Sequence, residues 1–238
     1  MSKSPRQNHL GQPIGPAVEG WRPPPPPPRE TLIGRWCRLE PLDPQLHADD
    51  LFAAYARHPD ERHWTYLGYG PFTSSEDLQA WMAITCLGDD PLFYAIRSAD
   101  GAGGHRPAGG LASYLRIDPA MGVIEVGHLS FAPALRRTAA ATEAMYLMMR
   151  HAFALGYRRY EWKCDDLNAA SRRAALRLGF RYEGTFRQAS IYKGRNRDTA
   201  WYSILDREWP GLEARFQRWL ARDNFDADGR QRKGLGEV

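Results

Sequence analysis

The sequence predicts an α/β protein, and three observations carry that reading. Segments in which apolar and polar residues alternate are interspersed with segments of helical period. Three consecutive strand patterns between residues 92 and 133 are joined by short turns and so run antiparallel. The strand patterns before and after them are set apart by helix-length segments, as in chains that cover a sheet with helices.

In order, TLIGRWCRLEPL reads as a first strand, and Asp43 caps a helix running through Leu46, Leu51, Phe52 and Tyr55. An aromatic-rich loop follows. Thr73, Ser74 and Ser75 ahead of Glu76 and Asp77 open a second helix, with Leu78, Trp81, Met82 and Thr85 on one side and an end near Gly88. LFYAIRS, LASYLRI and VIEVGHLSFAP are the three antiparallel strands, separated by DGAGGHRPAGG and DPAMG. A helix from about Ala140 to Ala154 comes next, then the strand RRYEWKC and the helix NAASRRAALRL. Strands around RYEGTFRQ and TAWYSIL and a last helix, WPGLEARFQRWL, complete about seven strands. QASIYKGRNRDT is expected to be a loop whose Lys193, Arg195 and Arg197 either hold an acceptor's carboxylate or phosphate or are solvated charge.

Nine of the 18 prolines fall in residues 1–30, six of them consecutive from Pro23 to Pro28. Residues 1–30 are therefore expected to form a disordered, Pro-rich spacer of polyproline II type, residues 31–221 one domain, and residues 222–238 a polar, fraying tail. With 43% hydrophobic and 25% charged residues in 238, the chain can build a core. The longest run free of Asp, Glu, Lys and Arg, His63–Ser75, is 13 residues and polar, too short for a spanning helix. No membrane partner and no secretory leader are expected. Cys37, Cys86 and Cys164 show neither pairing nor metal-ligand spacing, which suits a reducing, cytoplasmic setting and a site without metal. Of the formal net charge of +4, residues 1–30 supply +2. The rest is nearly balanced, with no basic stripe for nucleic acid.

The chemistry concentrates in Glu125–Phe153. There a strand, the short loop FAPALRRTAAAT and a helix with Ala141, Ala144, Met145, Met148, Ala152 and Phe153 on its buried face follow one another. Small residues in the first helical turn let a ligand approach the unpaired N–H groups of a helix start, whose dipole favours an anion such as a pyrophosphate.

This stretch resembles the GNAT superfamily of N-acetyltransferases, whose acetyl-CoA pyrophosphate loop follows Q/R-x-x-G-x-G/A. In RRTAAA, Arg136 takes the Q/R place, Ala139 the first Gly and Ala141 the last position. The missing Gly is tolerable where the backbone is already helical. Thr142 and Glu143 continue as the Thr-Glu-Ala run of a branch resembling ribosomal-protein N-terminal acetyltransferases of the RimJ/RimL type. Asn168, Ser171 and Gly179-Phe180 match that branch's N-x-x-S…G-F signature. The resemblance covers roughly residues 31–208. It implies a mixed central sheet splayed in the middle with helices on both faces, acetyl-CoA as acetyl donor, and an amine acceptor. It also implies cofactor contacts from Leu129, Phe131, Arg136, Arg137, Thr138, Ala139, Ala140, Ala141, Thr142, Asn168 and Ser171.

A protonated amine must lose a proton before it attacks a thioester. By position, Glu125 resembles the family's general base, with a surface or strand-pairing carboxylate as the other reading. His128 competes from the opposite strand face if no bulge intervenes. The N–H of Leu129 is the expected oxyanion donor. The tyrosine that many members use to protonate the leaving thiolate is Ala175 here, so Ser171 is left to assist. His63, Trp64, Tyr66, Tyr69 and His128 are the expected acceptor wall, with a hydrophobic cap on the core as the other reading of the aromatic loop. The function expected is acetyl transfer to a primary amine, either a peptide N-terminus or a small molecule. A non-catalytic acyl-CoA-binding module is the alternative, and an RNA-associated role is the third.

Overall fold

The computed structural model describes residues 6–57, 61–226 and 229–238. Its strands are β1 Arg6–Gln7, β2 Pro13–Ile14, β3 Leu32–Ile33, β4 Cys37–Pro41, β5 Leu92–Ala99, β6 His105–Asp118, β7 Val123–Phe131, β8 Arg159–Asp165, β9 Arg181–Tyr192 and β10 Arg195–Leu205. The helices are α1 Pro44–Ala56, α2 Ser75–Thr85, α3 Ala139–Leu155, α4 Ala169–Arg177 and α5 Trp209–Trp219. β1 and β2 form a small hairpin of their own. The other eight strands make one open, mixed sheet in the order β3-β4-β5-β6-β7-β8-β10-β9. Within it only β7 and β8 run parallel.

Alternation along the strands assigns the two faces. Tyr94 and Ile96 of β5 join the core beneath α3, α4 and α5, while Phe93 and Ala95 join α1 and α2 on the other side. α3 is buried from Ala140 to Met149 because the sheet covers one flank and α5 another, with Tyr146 stacked on Trp209 and against Phe216. The caps form as the residue types predict: Asp43 Oδ1 accepts from Gln45 N at 2.8 Å, and Ser74 Oγ from Asp77 N at 3.1 Å.

Three expectations are corrected. The segment 31–42 folds as two strands, because the Glu143 carboxylate on α3 gathers the N–H groups of Arg35, Trp36 and Cys37 at 3.0, 2.6 and 2.9 Å and so fixes a turn between them. A Cβ on Gly34 would lie 2.3 Å from Glu143 Oε2, so the turn requires that glycine. QASIYKGRNRDT is no loop. β9 and β10 extend through it to a tight turn at Lys193 and Gly194, both at positive φ (47° and 70°), as a two-residue hairpin turn demands.

The described ends also differ from free tails. Polyproline II has three residues per turn, and Pro24 and Pro27 are both buried, facing the domain together. Tyr157 donates its hydroxyl to the carbonyl of Pro25, and Tyr94 donates to that of Pro28, which also accepts from Glu30 N. Trp21 donates Nε1 to Ala120 O at 3.1 Å and lies under the Arg158 guanidinium, beside Gly122. At the other end Phe225 packs between Trp36 and Trp219, and Leu235 is buried.

Removing residues 1–29 is therefore expected to lower the melting temperature by about 5 °C or more, the scale of a few kcal/mol in a chain of this size. Differential scanning calorimetry of the two proteins checks it, and equal melting temperatures would mean that the strap contributes nothing.

Candidate active site

The site follows from how β7 leaves β8. Register pairs run from Val123 with Arg159 to Val126 with Trp162 and then stop. β8 continues against β10, while the second half of β7, from Gly127 to Phe131, stays with β6 alone. In that half β7 is bulged. Between the pairs Ser113–Gly127 and Leu111–Ser130, two residues of β7, His128 and Leu129, stand opposite one of β6, and His128 takes φ 51°. The bulge cancels the strict alternation on which the expectation of opposite faces for Glu125 and His128 rested. Both line a cavity of about 200 Å³ at the parting, together with Leu129, Asn168 and Ser171.

Glu125 is 3% exposed, and cations engage both its oxygens: Arg116 Nη1 at 2.7 Å and Lys163 Nζ at 2.8 Å. Lys163 also meets Glu161 at 2.8 Å and lies 3.7 Å over the Trp201 ring. Glu161 pairs with Arg159, which reaches Glu183. A row of alternating charges thus crosses the sheet from β6 to β9. Arg116, Lys163 and Glu161 were not singled out from the sequence. The two that flank Glu125 come from other strands, and only the register brings them beside it.

His128 has a different environment. Its ring stacks on Tyr69 and packs against Phe93. Burial, with the Arg116 charge nearby, pushes its pKa down to about 4, so the imidazole is neutral at pH 7 with a nitrogen lone pair to offer.

Asn168 caps α4 by accepting from Ser171 N at 3.1 Å, so helix capping falls to Asn168 and leaves the Ser171 hydroxyl for other work. Ser171 Oγ accepts from Trp162 Nε1 at 3.0 Å. Cys164 also lines the cavity, and burial holds its thiol above the ordinary range, which is not the setting of a nucleophile.

The expected acceptor wall divides. Tyr66 and Tyr69 line the cavity beside His128. His63 and Trp64 instead line a second, larger cavity of about 880 Å³, with Phe52, Tyr55, Pro133 and Arg136. There Arg136 donates to the Phe131 carbonyl and to His63 Nδ1. A guanidinium can only donate, so the proton of His63 sits on Nε2 and is given to Ser130 Oγ at 2.9 Å.

The loop before α3 presents backbone rather than side chains. Thr138 caps the helix by accepting from Ala141 N at 3.1 Å. The N–H groups of Arg137, Thr138, Ala139 and Ala140 meet no acceptor among the described residues. Ala139 lies within the helix, which removes the need for the glycine found in the family pattern, and positive φ (60°) falls on Arg137 instead. Thr142 is buried, donating to Thr138 O and accepting from Arg177. The segment 136–142, where cofactor contacts are expected, thus presents four open amides, 137–140. Among the described residues no group of three His, Cys, Asp or Glu is placed to hold a metal ion, and no helix is long and apolar enough to cross a membrane.

Residues 37–181 match the family model described as an acetyltransferase (GNAT) domain. The chain belongs to the GNAT acetyltransferase family. Among solved structures, a GCN5-related N-acetyltransferase from Brucella melitensis is 48% identical, with a TM-score of 0.87, covering 92% of this chain and 98% of that one. A protein described as a GNAT-family acetyltransferase from Chromobacterium violaceum is 44% identical, with a TM-score of 0.76 over 84% and 98%. The microcin C7 self-immunity acetyltransferase MccE, solved with acetyl-CoA and AMP, shares the fold at 20% identity, with a TM-score of 0.61 over 72% and 93%. No protein of curated function matches the sequence.

Family membership does not depend on His128, so its environment makes an independent prediction. A histidine with pKa about 4 when folded and about 6.5 when unfolded binds more protons in the unfolded chain between those values. Its contribution is complete above pH 6.5 and is lost as pH falls toward 4. The melting temperature of wild type is therefore expected to fall more steeply over that window than that of His128→Gln, as pH-resolved melting curves will show. Parallel curves would mean that the imidazole is not held neutral.

Proposed function

We propose that this chain transfers the acetyl group of acetyl-CoA to a primary amine in the cavity between β7 and β8. The reading is carried by one coincidence: the strands part at the same end of β7 at which α3 begins with four acceptor-free amides. That pairing suits a long donor with an anionic middle and a reactive tip. The amides of residues 137–140 and the helix dipole would hold the pyrophosphate, and the half of β7 without a β8 partner would flank the pantetheine arm. A relative with the same fold has been solved with acetyl-CoA, which supports the choice of donor.

Acetyl-CoA supplies the acyl carbon as an activated thioester. Tyr66, Tyr69 and His128 wall the acceptor, and the rings exclude water from the nitrogen. His128 takes a proton from that nitrogen as its lone pair is given to the acyl carbon. This reading moves proton acceptance away from Glu125, because both oxygens of Glu125 are engaged by cations while the neutral imidazole lines the cavity. Glu125 holds Arg116 and Lys163 at the cavity wall. The bulged Leu129 offers its N–H to the carbonyl oxygen, and the Ser171 hydroxyl donates to the departing sulfur while accepting from Trp162.

Acetyl-CoA at about 100 times its dissociation constant should add about 2.7 kcal/mol of stability and raise the melting temperature by about 5–10 °C. Ala139→Asp, which sets a charge among the open amides, should abolish the shift. Release of CoA should require a primary amine, and His128→Gln should lower kcat by about 10²-fold with acetyl-CoA affinity unchanged. The measurements are a thermal shift and a thiol-release assay over a panel of peptides and small amines. A loss carried by Glu125→Gln and not by His128→Gln would return the base to Glu125. Binding without release on any amine would make the chain an acyl-CoA-binding module.

A further inference from the structure

Among the described residues, one cation of the cavity wall has no counter-charge. Three cationic side chains line it, Arg116, Lys163 and Arg197, against two carboxylates, Glu125 and Asp165. Glu125 is taken by Arg116 and Lys163. Asp165 accepts from the Tyr192 hydroxyl at 2.8 Å and from Leu167 N at 2.9 Å. Arg197 donates Nε to Thr199 Oγ1 at 3.1 Å, and among the described residues no carboxylate lies within ion-pair distance of it. Its neighbour Asp198 is turned to Gln188 N and Asn196.

The surroundings fix where this guanidinium stands. Lys193 and Arg195, on the same β9–β10 hairpin, are tied to the loop across the cavity through the carbonyls of Trp64 and Thr65, at 2.9 and 3.2 Å. The hairpin arm and the loop carrying Tyr66 and Tyr69 therefore wall the same space, with Arg197 on one side and His128 on the other. Of Lys193, Arg195 and Arg197, the first two are spent on closing the wall and the third lines it. The space is small, since ligand pockets for drug-sized molecules run from about 300 to 1,000 Å³.

Resting on the transferase reading, we propose that the acceptor is a small amine that also carries an anion, a carboxylate or a phosphate, and that Arg197 is the residue that selects it. A planar guanidinium offers two parallel donors to either group. A half-buried charge without a counter-charge is costly to the free protein, so a ligand that neutralises it is favoured over one that does not. The donor does not meet this need, because its charged portion belongs at the start of α3 and the portion entering the cavity is neutral.

The test uses the full chain and matched acceptors: alanine, serine and phenylalanine against their amides, and phosphoethanolamine against ethanolamine. The carboxylate and phosphate arms separate the two anions. Wild type should favour the anionic member of at least one set. Arg197→Gln should reduce that preference in kcat/KM by about 10- to 100-fold, the range of a charge-assisted hydrogen bond. Arg197→Lys should keep part of it, and the KM for acetyl-CoA should not move. Comparing the same pair in wild type and variant cancels the different basicities of the two amines, and melting curves establish that both variants are folded. A preference that survives Arg197→Gln overturns the proposal, as does a raised KM for acetyl-CoA with the preference intact, which would assign Arg197 to the donor. If acetyl-CoA raises the melting temperature and no member of any set is acetylated, this acceptor class is wrong while donor binding stands. If acetyl-CoA gives no shift at all, the transferase reading itself has failed.

Discussion

Everything at the site depends on two parallel strands staying together for four residue pairs and then separating. β7 and β8 are the only parallel neighbours in an otherwise antiparallel sheet, and each has a second neighbour to follow once they part. β8 keeps β10 and β7 keeps β6, so neither loses its ladder on both sides. The bulge at His128 and Leu129 adds the bend that turns β7 away. What opens between them is lined by backbone and by side chains from four strands, one helix start and the loop of Tyr66 and Tyr69, without any element having to unfold.

The paired half is secured by charge. Glu125 and Glu161 are register partners on adjacent strands, and two buried carboxylates at that spacing would repel each other without Lys163 between them. Ion pairs of this kind yield little net stability, yet breaking one by removing a partner costs about 3–5 kcal/mol. The row from Arg116 to Glu183 thus links β6, β7 and β8 and reaches past β10 to β9. At the start of β7 the polyproline strap closes the β6–β7 turn through Trp21, Ala120 and Gly122. The sheet is thus held shut where β7 begins and free to open where α3 begins. Glu143 performs a comparable task for α3, tying it to the edge strands through three N–H groups.

Much of this was legible in the sequence, for local reasons. Helix starts depend on a cap and a first turn, and Asp43 and Ser74 announce theirs. The period of the α3 segment and the small residues in its first turn located the anion-binding end, and the family pattern around Arg136 and Asn168 added the parting of the strands. The rest depends on register, which no single strand encodes. One bulged residue moves His128 from the far face to the cavity, and neither partner of Glu125 lies on its own strand. Arg136 is placed by motif at the pyrophosphate loop, yet it bonds to Phe131 and to His63, the second of these 73 positions away. The proline run was read by composition as a spacer, because the residues that receive it, Tyr94 and Tyr157, belong to a surface that exists only after folding.

Amide hydrogen exchange tests where the donor sits, at the parting or in the larger cavity, without an acceptor. The peptides that matter are 127–131 on the unpaired half of β7, 137–140 at the start of α3, and 61–64 beside the larger cavity. Followed by mass spectrometry with and without acetyl-CoA, exchange should slow in the first two together, since one ligand spans the parting and the helix start, and should change little in the third. Protection confined to 61–64, or its absence from either 127–131 or 137–140, would contradict the claim that the strand parting and the α3 amides form one site.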